Sequence, residues 1–365
     1  MFLDKIGNTP KQALYDLEYL KKSELPLILS VDDQYLKHAR RFLLLHDITV
    51  DHLIVNERIF VSNAISYNYP LEEFNNLLNN YPEVNLVVVH EKYIEEVKQL
   101  SQNQKISKYI PLDLFSFERD FIDFYDTIRM NAVELEKFYL KLADEHSRNI
   151  MVAFIKAMIS GNPAALIGLN SKDEDRYFPD FFHLSKDEVF VDCGAYDGDT
   201  ILPFINKTEG SYSKIYAFEP DKQNIENLKK NTAQFNSIEI IEKGCFSCKD
   251  TLCFKDGQGI SSSIVSNGNF VIDVDAIDNV VSGKVSFIKM DIEGSELEAL
   301  KGAKKTIRSY LPRLAVSVYH RSNDLYTIPA YIHELNDSYK FYLRHYGMFS
   351  AELVLYAISD HYFKK

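Results

Sequence analysis

The sequence predicts an α/β protein: a doubly wound, mostly parallel sheet in the C-terminal half, preceded by a smaller α/β domain and a helical connector. Three observations predict it. From residue 187 onward, short apolar strands alternate regularly with helical stretches. The early strands are apolar almost without interruption, as burial on both faces of a parallel sheet demands. The first of them runs straight into a glycine-punctuated turn and then a helix. With 365 residues and 46% hydrophobic content, the chain suits two domains with packed cores.

The N-terminal domain is assigned to residues 1–115. Strands are expected at 26–31, 50–55 and 85–90, with helices at 33–45 and 95–100, a small α/β unit without the Gly-x-Gly-x-x-Gly turn of a dinucleotide site. Ser30-Val-Asp-Asp-Gln34 stands where those glycines would be needed, so docking, acceptor selection or self-association into a homo-oligomer is the expected role. Residues 116–175 read as a helical connector. Apolar positions at helical spacing mark 132–143, and 149–159 is almost wholly apolar, so the two helices are expected to pack across the domain junction. Gly161-Asn-Pro163 ends the second helix, and polar residues 171–176 lead into the third region, 176–365.

There the expected strands are 189–192, 214–219, 238–243, 283–291 and 313–320, closed by a pair at 340–345 and 352–357. Asp273 and Asp275 alternate with apolar residues and are expected on the solvent face of an added strand.

The most informative stretch is Glu188-Val-Phe-Val-Asp-Cys-Gly-Ala-Tyr-Asp-Gly-Asp-Thr200. Gly194 and Gly198 suit a sharp bend or a close backbone approach, and Asp192, Asp197 and Asp199 are expected to bring negative charge to its mouth. Pyrophosphate favours bare amide donors, whereas a sulfonium carrying an amino-acid ammonium group is drawn to carboxylates. S-adenosyl-L-methionine fits that pattern and NAD does not.

Glu219, followed by Pro220, ends the second strand of this region, where an acid reaches the hydroxyls of a ribose. Asp291 ends the fourth strand, with Gly294 permitting the exit and Ser295 expected to cap the helix 296–309. It is suited to orienting an ammonium group, ligating a divalent ion or accepting a hydroxyl proton. With Glu293 it offers two carboxylates, which suit Mg²⁺ only if substrate and water complete the shell, so a metal site is not favoured. His320, expected at the end of the fifth strand, is suited to abstract a proton near neutral pH, with Tyr319, Arg321 and His345 as rival acceptor-site residues. Cys245-Phe-Ser-Cys248 has the spacing of half a zinc knuckle, but no second ligand pair follows, and Cys193 reads as filler within the turn.

Four blocks together resemble the FkbM family of S-adenosylmethionine-dependent methyltransferases. They are Val189-Phe-Val-Asp-Cys-Gly-Ala-Tyr-Asp-Gly-Asp-Thr200, Tyr216-Ala-Phe-Glu-Pro-Asp221 with Asn227-Leu-Lys-Lys-Asn231, Phe287-Ile-Lys-Met-Asp-Ile-Glu-Gly-Ser-Glu-Leu-Glu-Ala-Leu-Lys-Gly-Ala303, and Glu352-Leu-Val-Leu-Tyr-Ala357. The resemblance covers about residues 177–356. It implies a Rossmann-like class I methyltransferase fold, a seven-stranded mostly parallel sheet with an antiparallel final strand. It further implies O-methylation of a sugar, glycan or polyketide hydroxyl, often in surface-polysaccharide or natural-product biosynthesis. Carried onto this chain, it assigns the cofactor to Asp192, Gly194, Ala195, Gly198, Glu219, Pro220, Asp221, Gly244, Cys245 and Asp291. The base is left to His320 or Asp291.

The net charge of −12, from 53 acidic against 41 basic residues, disfavours a nucleic-acid partner. No apolar run is long enough to span a bilayer and the charged N-terminus is unlike a signal peptide, so stable membrane insertion is not expected and a cytoplasmic location is. The rival readings are an NAD-dependent sugar-modifying oxidoreductase and a noncatalytic S-adenosylmethionine-binding scaffold in glycan assembly.

Overall fold

The computed structural model describes residues 2–6, 12–32, 35–55, 78–89, 102–113, 121–255, 263–264, 270–347 and 349–362. The chain forms two compact units. The first comprises Met1–Ala132, Asn149–Asn170 and Gly347–Ala351; the second comprises Val133–Arg148, Ser171–Tyr346 and Glu352–Lys365.

The first unit is built on four parallel strands, β1 (Leu27–Val31), β2 (His52–Val55), β3 (Val84–Val89) and β4 (Ile106–Pro111), in the order β2-β1-β3-β4. Leu27, Leu29 and Val31 join one apolar cluster with Ala39 and Leu43, while Ile28 joins Leu86 and Val88 in another. Alternate residues of β1 thus face opposite layers, which is why the strand is apolar except at Ser30. The expected helix at 95–100 and His90 lie outside the described residues. The helix read at 149–159 starts earlier, as Glu145–Ser160, because the Asp144 carboxylate accepts the Ser147 N–H at 2.6 Å and caps it.

The second unit is organised by seven strands: β5 (Val189–Cys193), β6 (Lys214–Phe218), β7 (Ile238–Ile241) and, after an inserted sheet, four more. The insertion consists of β8 (Gly244–Cys245), β9 (Asp250–Lys255), β10 (Ser263–Ile264) and β11 (Phe270–Asp275), in the order β10-β9-β11-β8. The main sheet resumes with β12 (Phe287–Met290), β13 (Arg313–Ser317), β14 (Tyr339–His345) and β15 (Leu353–Ser359), giving the order β14-β15-β13-β12-β5-β6-β7. Only β15 runs antiparallel, inserted between β13 and β14. This is the Rossmann-like arrangement the sequence predicted. Stacked Phe190 and Phe287, ring centroids 4.7 Å apart, anchor one face of its core.

Several local expectations are corrected. The fourth strand is shorter than 283–291, because Gly283 takes a left-handed φ of +85° and pairing begins at Phe287. The helix expected over 296–309 is two helices, Glu296–Gly302 and Lys304–Tyr310. At Gly302 a Cβ would lie 2.0 Å from the Phe246 carbonyl oxygen, so this approach requires glycine. Asp275 is buried rather than on the solvent face, since its carboxylate accepts from Lys243 Nζ at 2.7 Å and from the Ala276 and Asn279 nitrogens. Among the described residues, no helix is long and apolar enough to cross a membrane.

Candidate active site

The site is assembled where β5, β6, β12 and β13 present their carboxyl ends. The turn after β5 is fixed by its own backbone. The Gly194 and Ala195 N–H groups both donate to the Phe218 carbonyl at 3.0 Å, the Tyr196 N–H donates to Glu219 Oε2 at 2.9 Å, and the Gly198 N–H donates to the Ala195 carbonyl at 2.8 Å. These amides are spent inside the protein, so the turn does not offer the bare donors that a pyrophosphate needs. Gly194, at φ +83°, is demanded by packing: a Cβ there would lie 2.1 Å from the Asp291 carbonyl oxygen. Gly198, at φ +95°, closes the bend against Leu228 of the helix Lys222–Thr232.

Glu219 ties the two turns together and is 5% exposed. Oε1 accepts the Asp221 N–H at 2.9 Å and an Asn224 Nδ2–H at 3.3 Å, while among the described residues Oε2 accepts only the Tyr196 N–H. A carboxylate has about four acceptor positions. One remains open on Oε2, and a second opens if the longer Asn224 bond yields, which fits the ribose role with less spare capacity than the sequence suggested. Burial raises the Glu219 pKa above its ordinary value. Pro220 and Asp221 follow at the strand end, and the Asp221 carboxylate caps the next helix through the Asn224 N–H at 2.9 Å.

Asp192 differs from expectation. It is fully buried in β5 with Lys289 of β12 at 3.1 Å, the two standing opposite each other in the strand register. Burial raises its pKa to about 7 despite the lysine. Lys289 is held charged against burial by Asp192, Asp291 and Asp199. The negative charge at the mouth therefore comes from the half-buried Asp197 and the exposed Asp199, with Asp192 neutralised behind them. Gly244 packs against Val274, and Cys245 is buried with its thiol pushed well above the ordinary value by burial and by neighbouring Cys193. That environment favours a structural thiol over a reactive one.

Beyond β12 and β13, Asp291 and His320 meet. Tyr177 Oη donates to Asp291 Oδ2 at 2.6 Å, and Asp291 Oδ1 lies 3.4 Å from His320 Nε2. Glu293 Oε2 is 3.6 Å from the same nitrogen, and Glu296 Oε1 is 2.8 Å from His320 Nδ1. His320 stands three residues past the end of β13, not within the strand, and its side chain is 6% exposed. Burial would lower its pKa, but Glu296, Asp291 and Glu293 outweigh burial and bring it to about 9. Near neutral pH the ring is an imidazolium, which corrects the expectation of a ready base. Asp291 is held below its ordinary value, against burial, by His320, Lys289 and the Tyr177 hydroxyl.

Ser295 occupies the N-cap position of Glu296–Gly302, yet its hydroxyl makes no capping bond. Glu296 Oε1 takes the Ile292 N–H instead, at 2.9 Å. Tyr196 and Glu293, at φ +47° and +55°, hold left-handed backbone at this edge, at a cost of roughly 1–2 kcal/mol each. Asp291, Glu296 and His320 each direct one ligand-type atom within 4.8 Å of the others, so together they form a group able to hold a cation. The rival residues are distributed around the site: the Tyr319 ring lies 4.1 Å from the His320 ring, exposed Arg321 lies against Gly294, and His345 is buried at the end of β14. Sequence reasoning missed Tyr177, Lys289 and Glu296. Lys289 carried a signal, since a lysine within an otherwise apolar strand needs a buried partner.

Residues 192–347 match the methyltransferase FkbM domain model. Among solved structures, a methyltransferase FkbM from Methylobacillus flagellatus KT aligns with TM-score 0.69 at 22% identity, covering 97% of this chain and 95% of that one. An rRNA methylase from Streptococcus thermophilus aligns at TM-score 0.32 and 14% identity, covering 48% of this chain and 89% of that one. Among curated proteins, none matches this chain in sequence.

Proposed function

We propose that this chain, a member of the FkbM methyltransferase family through residues 192–347, transfers a methyl group to a hydroxyl of a sugar, glycan or related natural-product acceptor. A member of this family is an S-adenosylmethionine-dependent methyltransferase; the acceptor and the atom methylated are our reading. The observation that carries it is the facing pair His320 Nε2 and Asp291 Oδ1, two buried atoms 3.4 Å apart without a hydrogen-bond partner among the described residues. A hydroxyl set between them would find both a donor and an acceptor.

The residues present fit the donor. Glu219 keeps an open acceptor position for a ribose hydroxyl, Asp197 and Asp199 supply negative charge, and the spent amides of the turn disfavour the pyrophosphate of NAD. Gly194, Ala195 and Gly198 shape the bend, and Gly244 and Cys245 border the adenine side in this reading. When bound, the donor supplies an electrophilic methyl group, so the acceptor oxygen forms a C–O bond while the C–S bond breaks towards sulfur.

The protein's task is alignment, exclusion of water and disposal of the hydroxyl proton. Asp291, ionised and steadied by Tyr177, accepts the hydroxyl's hydrogen bond and orients the oxygen. Once the ring is neutral, the hydroxyl's hydrogen bond passes from Asp291 to His320 Nε2, which takes the proton. The N-terminal unit is read as an acceptor-selecting or self-associating element.

Incubation with S-adenosyl-L-methionine and a panel of sugar nucleotides and glycan intermediates should yield S-adenosylhomocysteine and a methylated acceptor, seen by mass spectrometry. Thermal stabilisation by NAD but not by S-adenosylhomocysteine would overturn the cofactor assignment. Saturable donor binding with no turnover on any hydroxyl acceptor would favour a donor-binding scaffold.

A further inference from the structure

We infer that the first unit docks on an anionic lipid surface through the outward side of its helices Gln12–Lys22 and Leu36–Leu45, lying on that surface rather than crossing it. The inference is independent of the methyl-transfer reading, since it uses no residue of the candidate active site.

The two helices cover the same face of the smaller sheet. Leu17 and Leu20 of one and Ala39 and Leu43 of the other join the apolar cluster of Leu27, Leu29 and Val31 in β1. Their opposite sides therefore look outward together. In Leu36–Leu45 each arginine is followed one turn later by a leucine, Arg40 by Leu44 and Arg41 by Leu45, and these leucines are 76% and 70% exposed. The other helix adds Tyr15 and Tyr19, one turn apart and 68% and 41% exposed. Large apolar and aromatic side chains gathered on one side of a unit mark an interaction surface, whereas single exposed ones do not.

Charge says what covers this surface. Although the whole chain carries a net −12, the exposed charges on the two helices are Lys21, Lys22, Lys37, Arg40 and Arg41 against Glu18, and Glu18 is engaged with Lys21 at 3.5 Å. Lys37, Arg40 and Arg41 have no carboxylate partner among the described residues. The occupant is therefore anionic. A second copy seated here by two-fold symmetry would set the same cations against one another.

Shape then separates lipid from an acidic protein. Side chains that line a groove for a partner's helix or strand are largely covered by its walls, whereas Leu44 and Leu45 protrude. Protruding leucines beside arginines suit a boundary that yields. The leucines enter the acyl layer, the guanidinium groups stay at phosphate depth, and the tyrosines lie at the level of the headgroups. Repulsion of the chain's remaining negative surface orients it on the bilayer.

The test is sedimentation of the full chain with vesicles of phosphatidylcholine alone, or of phosphatidylcholine and phosphatidylglycerol in equal parts. The anionic vesicles should retain it, the neutral ones should not, and salt of about 1 M should release it. Arg40→Ala with Arg41→Ala should weaken retention about 30-fold, and Leu44→Ser with Leu45→Ser about 10-fold. Leu140→Ser, which removes a 72% exposed leucine from the helix Ala132–Lys141, should leave retention unchanged. All these side chains are exposed, so every variant should keep the wild-type melting temperature. Amide hydrogen exchange in Leu36–Leu45 should slow when anionic vesicles are added.

Equal retention on both vesicles, retention on neither, or retention unchanged by the arginine and leucine substitutions would overturn the inference. So would self-association in light scattering that the same substitutions abolish while vesicles are ignored, because the face would then join copies of the chain. Binding to poly-glutamate in preference to anionic vesicles would assign the surface to an acidic protein and overturn it as well.

Discussion

The chain builds one parallel and one mostly parallel sheet whose first strands lie inside the sheet, and the resulting carboxyl edges carry different groups. In the first unit the order β2-β1-β3-β4 places β1 and β3 side by side, and in the second the order places β12, β5 and β6 together. Each is a topological switch of the kind that opens a crevice for ligands. In the smaller sheet, polar groups at this edge are spent on backbone. The Asp32 N–H donates to the Val89 carbonyl at 3.0 Å, and Asp113 accepts the Ser350 N–H at 2.7 Å, with Phe349 edge-on to Tyr35. Its buried mid-strand polar residues, Ser30 and Asn85, are neutral. The larger sheet buries an ion pair within the strands and gathers Glu219, Asp291, Glu293, Glu296 and His320 beyond them. Topology provides an edge; charges maintained there against their desolvation cost make it the candidate reaction site.

The difference is broken most directly at His320. His320→Ala should lower turnover by about 100- to 10,000-fold, the span of general acid–base assistance, while leaving donor affinity intact by calorimetry. Because the folded pKa is raised to about 9, the stabilisation from the imidazolium is complete below about pH 6.5 and fades as pH rises through 9. Wild type should therefore lose stability over that window as its capacity to accept a proton grows, and His320→Ala should lose both trends. Activity near wild type would remove His320 from the chemistry.

Next in size is the buried pair. Lys289→Met leaves Asp192 without its partner and should destabilise the protein by about 3–5 kcal/mol in urea unfolding. The double variant Asp192→Asn, Lys289→Met should recover most of that loss, since neither charge is then stranded. If the double variant is no more stable than the single one, Asp192 does not depend on the lysine.

These two experiments also mark how far the sequence was legible. Strand positions in the larger sheet were readable because burial on both faces leaves uninterrupted apolar runs such as Val189-Phe-Val191, and the β14–β15 pair was readable from its alternation. The edge residues Glu219, Asp291 and His320 were legible because they follow those runs. What stayed hidden were the pairings between distant segments. Asp192 reads as an acid at a turn until the register sets Lys289 opposite it, and Glu296 reads as an ordinary first-turn acid until the chain after β13 brings His320 to its carboxylate. Asp275 was misread for the same reason, since Lys243 reaches it from 32 residues away.

A smaller effect is expected at Glu219. With one acceptor position open on Oε2, Glu219→Ala should weaken donor binding by about 1–3 kcal/mol, and unchanged affinity would refute the ribose contact.

The smallest effect belongs to the other sheet. Asp32 directly follows β1, as Gly194 directly follows β5, so a comparison by topology alone would give it a share in binding. Its backbone is already engaged with β3 and with Tyr35, whose N–H donates to the Asp32 carbonyl at 2.9 Å, and this engagement does not depend on the side-chain charge. Asp32→Asn should accordingly change donor affinity and turnover by less than about 0.5 kcal/mol, the range of substitutions away from a functional feature. A loss of donor affinity comparable to that of Glu219→Ala would mean that the smaller sheet contributes to the donor site, and the contrast between the two edges would have to be abandoned.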